Sequence, residues 1–103
     1  MFGEIFIAQF PFTSGKASKP RPVPPLFELE QDVVICRITS VLRNGPCDVM
    51  LADWARAGLA KPSVAPLDRL VTAERKILGK RLGKLSAPDE ATVRRIWNQQ
   101  MKL

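Results

Sequence analysis

The sequence predicts a mainly β protein, a small barrel of short strands followed by a C-terminal α-helix. Three observations carry this. Apolar runs rich in β-branched residues are short, and Pro, Gly and Asn separate them, as in all-β domains. Sustained helical spacing occurs at the end of the chain, where Val93, Ile96, Trp97 and Met101 fall on one face. A length of 103 residues with 46% apolar content suffices for one small core, so a single domain over residues 1–103 is expected.

Taken in order, residues 4–10 read as a first strand, with Ile5 and Ile7 on one face and Phe6, Ala8 and Phe10 on the other. Two apolar faces suit a central strand, and Pro11 ends it. Residues 13–20 form a polar loop with two lysines, Lys16 and Lys19. The return strand, residues 21–30, is interrupted by Pro22, Pro24 and Pro25, which lack a backbone donor. Either this is an edge segment, or pairing starts only near Leu26. Residues 32–39 carry the clearest strand signal, the nearly continuous Val33-Val34-Ile35-Cys36-Arg37-Ile38. Asn44-Gly45-Pro46 marks a turn, and Val49-Met50-Leu51 a short strand.

Residues 53–57 read as one or two helical turns, with Asp53 as N-cap and Gly58 as the stop. Residues 62–66 are extended, and in residues 67–71 Leu67, Leu70 and Val71 point inward while Asp68 and Arg69 point out. Gly79 and Gly83 predict a bend or turn within residues 77–85. Ser86 caps the final helix, Pro88 is tolerated in its first turn, and Asp89 sits three residues after the cap. The apolar stripe of that helix packs on the barrel.

The composition narrows the function. Sixteen Lys and Arg against ten Asp and Glu leave a net charge of +6, spread along the chain rather than gathered in a tail. That points to a polyanionic partner, a nucleic acid or an acidic protein segment, or equally to a basic, soluble surface with no such partner; charge alone does not separate the two. The chain has no histidine, which removes the commonest general base and metal ligand. Cys36 and Cys47 fit no metal or redox spacing, so no metal site and no cofactor are expected, and Cys36 reads as a buried thiol. Glu4 stands where a secretory leader would be basic, and no apolar run approaches the roughly 18 residues of a membrane span. A cytoplasmic protein with no membrane partner is the expectation.

Three stretches then carry a family resemblance. The first is Gly3-Glu4-Ile5, Phe10-Pro11-Phe12-Thr13 and a Ser/Gly/Lys loop leading to Arg21-Pro22. The second is Ile38-Thr39-Ser40 at the end of a hydrophobic strand. The third is Ala57-Gly58-Leu59, Lys61-Pro62-Ser63-Val64, Leu67-Asp68-Arg69-Leu70 and Gly83-Lys84-Leu85-Ser86 before a helix. In order and spacing they resemble the MazF/PemK family of toxins. The resemblance implies an SH3-like barrel of the MazF, PemK and CcdB type, a homodimer, and a metal-independent endoribonuclease, or mRNA interferase. It also implies a type II toxin–antitoxin pair in which an acidic antitoxin peptide silences the enzyme. Operator DNA is reached only through the antitoxin complex.

Such an enzyme cuts single-stranded RNA by letting the 2′-hydroxyl attack the adjacent phosphorus, leaving a 2′,3′-cyclic phosphate and a 5′-hydroxyl. The protein aligns the two oxygens, stabilises phosphate charge and assists proton transfer. Arg21 matches the family's catalytic arginine, and a guanidinium can grip a phosphate with two parallel hydrogen bonds. Thr39, and less strongly Ser40, offer a hydroxyl at a strand end. Lys16, Lys19, Arg37 and Arg43 are candidates for the RNA backbone, as is a second basic run of Arg75, Lys76, Lys80, Arg81 and Lys84. Phe12 and Trp54 could stack on bases, although core packing is the simpler use of Trp54. Asp68 and Glu4 are the available carboxylate bases, and both read more simply as structural or solvated groups.

Two departures from the family pattern matter. Pro24-Pro25 stand where relatives have a continuous aliphatic strand that positions the arginine, and Pro66 stands where many relatives carry an arginine before Leu67-Asp68. They keep open a second reading, a barrel of the same fold that binds RNA or antitoxin without cleaving. A toxin aimed at a protein such as DNA gyrase is a third, on fold analogy alone.

Overall fold

The computed structural model describes residues 1–11 and 18–103, and the side chains of Phe10, Pro11 and Ser18 are not described. The strands are β1 (Glu4–Pro11), β2 (Ser18–Val23), β3 (Pro25–Glu28), β4 (Asp32–Cys36), β5 (Asp48–Met50), β6 (Val64–Pro66), β7 (Leu70–Glu74) and β8 (Leu78–Lys84). A 3-10 turn at Arg75–Ile77 links the last two, and helix α1 (Ala87–Gln100) follows. Among the described residues all pairing is antiparallel, in three small sheets ordered β2-β1-β8, β3-β4-β7 and β5-β6. The mainly β architecture with a terminal helix is as predicted, while the barrel wall is divided into three sheets rather than closed.

β1 is the central strand its two apolar faces foretold. Ile5 is fully buried and enters a core with Cys36, Ile38, Val49, Leu67 and Val93. Ala8, with Phe6 packed beside it, enters a second core with Val23, Val33 and Ile35. Register shifts against β8 at Ile5/Phe6 and Phe6/Ala8 accompany this division of one strand between two cores.

The proline-rich return segment takes a form the sequence left open. Pairing begins at Ser18, well before Leu26, and β2 lies at a sheet edge with Arg21 opposite Ala8, Pro20 opposite Gln9 and Pro22 opposite Ile7. Antiparallel neighbours alternate between hydrogen-bonded and non-bonded pairs. Pro20 and Pro22 share one parity and Arg21 has the other. The Pro22 carbonyl accepts from the Ile38 amide at 3.0 Å, so the backbone polar groups of residue 22 face away from β1. The missing amide hydrogens therefore fall where β1 asks for none. Pro24, buried, is the corner between β2 and β3, and Pro25 opens β3 in the other sheet, opposite Ile35.

Four local expectations are corrected. β4 ends at Cys36 rather than Thr39, because Ile38 turns to bond Pro22 and Thr39 forms an isolated bridge to Val64. Leu70 is 38% exposed, since β7 is an edge strand whose alternate residues face out. Gly79 and Gly83 lie within β8 and make no turn; a Cβ on Gly83 would meet the Ala57 carbonyl oxygen at 2.5 Å, so the residue permits backbone-to-backbone approach. Residues 52–58 form a chain of turns ended by Gly58 (φ +87°), as foreseen, but the cap is not Asp53. The buried Asp89 carboxylate accepts from the amides of Ala52 and Asp53, both at 2.9 Å.

α1 starts as predicted. Ser86 Oγ accepts from the Asp89 amide at 3.3 Å, and Val93, Ile96 and Trp97 pack toward the first core. Trp97 also meets Phe27 edge to face, with ring centroids 5.0 Å apart.

Candidate nucleic-acid interface

Three segments converge on one open groove of about 280 Å³. β2 brings Arg21, half-buried, with its backbone fixed by pairing to Ala8. The segment after β4 brings Arg37, Thr39 and Ser40. It is clamped on both sides: Ile38 N–H bonds Pro22, while Thr39 and Val64 exchange amide–carbonyl bonds of 3.0 and 2.8 Å. The segment before β6 brings Lys61 as the facing wall. Ser63 Oγ donates to the Lys61 carbonyl at 2.7 Å, Leu51 N–H donates to the Ser63 carbonyl, and Leu59 N–H to that of Trp54. That wall is held by backbone bonds on each side of Lys61.

Thr39 has a defined orientation. Its Oγ1 accepts from the Val41 amide at 3.0 Å, and among the described residues no acceptor takes its own hydrogen. The hydroxyl is thus held by one lone pair and keeps a proton to donate. Ser40 is exposed on the same rim.

Charge in the groove is one-sided. Arg21, Arg37 and Lys61 line it, and among the described residues no Asp or Glu does. Neither Arg37 nor Lys61 forms an ion pair among the described residues. Elsewhere some cations are matched, Arg75 with Glu28 at 3.0 Å, Lys76 with Glu74 at 3.2 Å, and Arg81 with Glu4 at 2.7 Å. Those pairs take up three members of the second basic run. Glu4 is also 3.8 Å from the N-terminal amine. Asp68 is exposed and away from the groove lining. Neither carboxylate that sequence reasoning offered as a base reaches the site.

Of the predicted site residues, the fold gathers Arg21, Thr39, Ser40 and Arg37. Lys19 lies on β2, exposed and outside the lining. Arg43 is turned away: its Nε lies 3.3 Å from the buried Asp48 carboxylate, which also accepts from the Gly45 amide at 2.7 Å, so it braces the turn before β5. Lys16 and Phe12 lie outside the described residues. Trp54 is half-buried against the first core. Lys61, read in the sequence only as part of the Lys61-Pro62-Ser63-Val64 stretch and not singled out as a candidate, also lines the groove.

Cys36 is chemically quiet. Burial first, and then the negative charge of Asp68, push its thiol up to about 12, so the nucleophilic thiolate is suppressed. No group of three or more His, Cys, Asp or Glu able to hold a metal occurs among the described residues. None of the described helices is long and apolar enough to cross a membrane.

The family model for PemK-like, MazF-like toxins of type II toxin–antitoxin systems matches residues 1–100. The chain belongs to this family. Among solved structures, the Mycobacterium tuberculosis toxin MazF-mt6 is 30% identical, with a TM-score of 0.74 over 92% of this chain and 93% of that one. A mycobacterial endoribonuclease in complex with its cognate antitoxin is 16% identical, with a TM-score of 0.77 over 98% of this chain and 93% of that one. A MazE–MazF complex from Deinococcus radiodurans is 20% identical, with a TM-score of 0.73 over 99% and 94% of the two chains. The latter two similarities speak to the fold. Comparison with curated proteins by sequence returned no match. The chain is a MazF-like toxin of a type II toxin–antitoxin system, and one groove of it brings Arg21 and Thr39 together.

Proposed function

We propose that this MazF-like toxin is a sequence-selective, metal-independent endoribonuclease acting on single-stranded RNA, mRNA included. The observation that carries the reading is the convergence of Arg21, Thr39 and Ser40, from two segments distant in sequence, in a groove lined by cations and, among the described residues, by no carboxylate. In the reaction the 2′-oxygen forms a bond to phosphorus as the bond to the 5′-oxygen breaks. The 2′-hydroxyl proton passes to solvent, and the departing 5′-oxygen takes one up. Arg21 stabilises the added negative charge on the phosphate through a charge-assisted fork. Thr39, oriented by the Val41 amide, donates to a phosphate oxygen. With no carboxylate in the lining, catalysis rests on alignment and charge stabilisation more than on a strong general base.

The prolines do not argue against this chemistry at Arg21. Pro24 and Pro25 form the corner after β2, and Arg21 stays in the ladder opposite Ala8. Pro66 is buried in β6 opposite Asp48 and brings no cation there, which favours the second reading, an RNA- or antitoxin-binding barrel without cleavage. On this reading the chain acts as one unit, a cytoplasmic homodimer, and an acidic antitoxin peptide complements its positive groove.

The test is incubation of the purified protein and of Arg21→Ala with mixed-sequence single-stranded RNA in EDTA, with product ends mapped. Cleavage by the native protein alone, leaving cyclic phosphates at a recurring motif, supports the proposal, with a loss of at least about a hundredfold for the variant. Tight RNA binding by the folded native protein with no products selects the binding module.

A further inference from the structure

We infer that the groove holds at least two phosphates of one RNA strand, with Lys61 binding a phosphate next to the one gripped by Arg21. This rests on the RNA-directed reading above and assigns a division of labour within it. The two residues stand on separate elements, Arg21 on β2 and Lys61 on the wall before β6, and the clamped 37–41 segment runs between them. A single phosphate carries about one negative charge, and Arg21 with the Thr39 hydroxyl is a sufficient set of donors for it. Lys61 and Arg37 are left over in the same lining, with no carboxylate to neutralise them among the described residues. Beside the phosphate held by Arg21, these two further cations in one groove repel one another and are stabilised by an extended polyanion better than by one small anion.

The wall is also built to present Lys61. Ser63 is buried, and its hydroxyl hydrogen is spent on the Lys61 carbonyl, fixing the backbone from which the flexible ammonium reaches out. A lysine is a point charge on a four-carbon stem, suited to follow a backbone phosphate rather than to hold a transition state in a fixed fork. Lys61 is therefore a binding residue, felt in affinity and in its salt dependence. Arg21 is felt in the bond-breaking step.

The experiment measures affinity for a single-stranded RNA whose 2′-positions are O-methylated, so that it cannot be cut, at several salt concentrations, together with single-turnover cleavage of the matching unmodified RNA. Native protein, Lys61→Ala, Lys61→Arg and Arg21→Ala are compared. For Lys61→Ala, affinity falls about five- to thirtyfold at low salt, and the slope of log affinity against log salt becomes shallower by about 0.7, the value for one phosphate contact on a single strand. Its cleavage rate at saturating protein stays within about twofold of native, and Lys61→Arg restores the slope. An unchanged slope, or a saturating rate that collapses as in Arg21→Ala, overturns the assignment. Should the native protein bind RNA without cutting it, the nuclease reading fails while the slope still decides the role of Lys61. Absence of RNA binding by native protein overturns both.

Discussion

Replacing Asp89 by Asn should unfold the link between α1 and the turns at residues 52–58, although the change adds no volume. Asp89 is 2% exposed, and its two oxygens each accept a backbone amide, from Ala52 and Asp53, at 2.9 Å. In Asn one oxygen becomes an NH2 group facing an N–H, whichever way the amide is turned. One charge-assisted bond is lost, worth about 1.5–3 kcal/mol, and a buried donor is left unpaired at about 1–3 kcal/mol. Losing a negative charge in the first turn of a helix adds about 0.5 kcal/mol. Allowing for overlap among these terms, Asp89→Asn should cost about 3 kcal/mol. In a chain of this size each kcal/mol lowers the midpoint by about 4 °C, so thermal unfolding should fall by about 12 °C. Glu90→Gln is the control: it removes the neighbouring first-turn charge, whose bridge to Arg94 is long at 3.9 Å, and should cost under about 1 kcal/mol. Hydrogen exchange should speed up first at the amides of 52 and 53. A midpoint for Asp89→Asn within about 2 °C of native, or equal losses in the two variants, would refute the reasoning.

Two further predictions concern stability and reactivity. Gly58→Ala places a Cβ 2.3 Å from the Leu82 carbonyl oxygen at a φ of +87°, so clash and backbone strain act together. Denaturant unfolding should show a loss of at least about 2 kcal/mol, and a neutral result would show that the turn shifts freely. Cys36 keeps its proton in the folded state up to about 12, against 9.0 for the free group, so above pH 9 the unfolded chain releases a proton that the folded chain retains. Its contribution to stability is complete below pH 9 and is lost as pH rises toward 12, at up to about 1.4 kcal/mol per pH unit. Cys36→Ala should flatten the stability–pH curve there relative to native, and a thiol reagent at neutral pH should modify Cys47 well before Cys36; parallel curves would count against a buried thiol.

Where the governing interactions are local, the sequence was readable. β1 announces itself through two apolar faces, β4 through its β-branched run, and α1 through Ser86 and the Val93–Ile96–Trp97 stripe, because each signal lies within a few residues. What was hidden depends on partners far along the chain. Whether Pro20 and Pro22 break a ladder is decided by which way the backbone faces β1, and that parity is fixed by pairing with residues 7–9. Gly83 reads as a bend until the turn at Ala57 is laid across it. Asp89 looks like half of a reciprocal helix cap, yet its carboxylate serves amides 36 and 37 positions away. The site divides in the same manner. Arg21, Thr39 and Ser40 come through the resemblance. Arg43 was misplaced because its partner Asp48 is buried, and Lys61 was overlooked because nothing local tells which wall it faces.

The alternation of prolines in β2 has one more consequence. An uncovered sheet edge ordinarily presents alternating donors and acceptors that a foreign strand can zip onto. Here the outward-facing positions at 20 and 22 offer no donor, and the acceptor at 22 is already taken by Ile38. The margin of the molecule beside the groove is thereby blunted against strand addition, which disfavours both self-aggregation there and any partner that docks by lengthening this sheet. Whatever occupies the groove must be recognised by side-chain charge and shape.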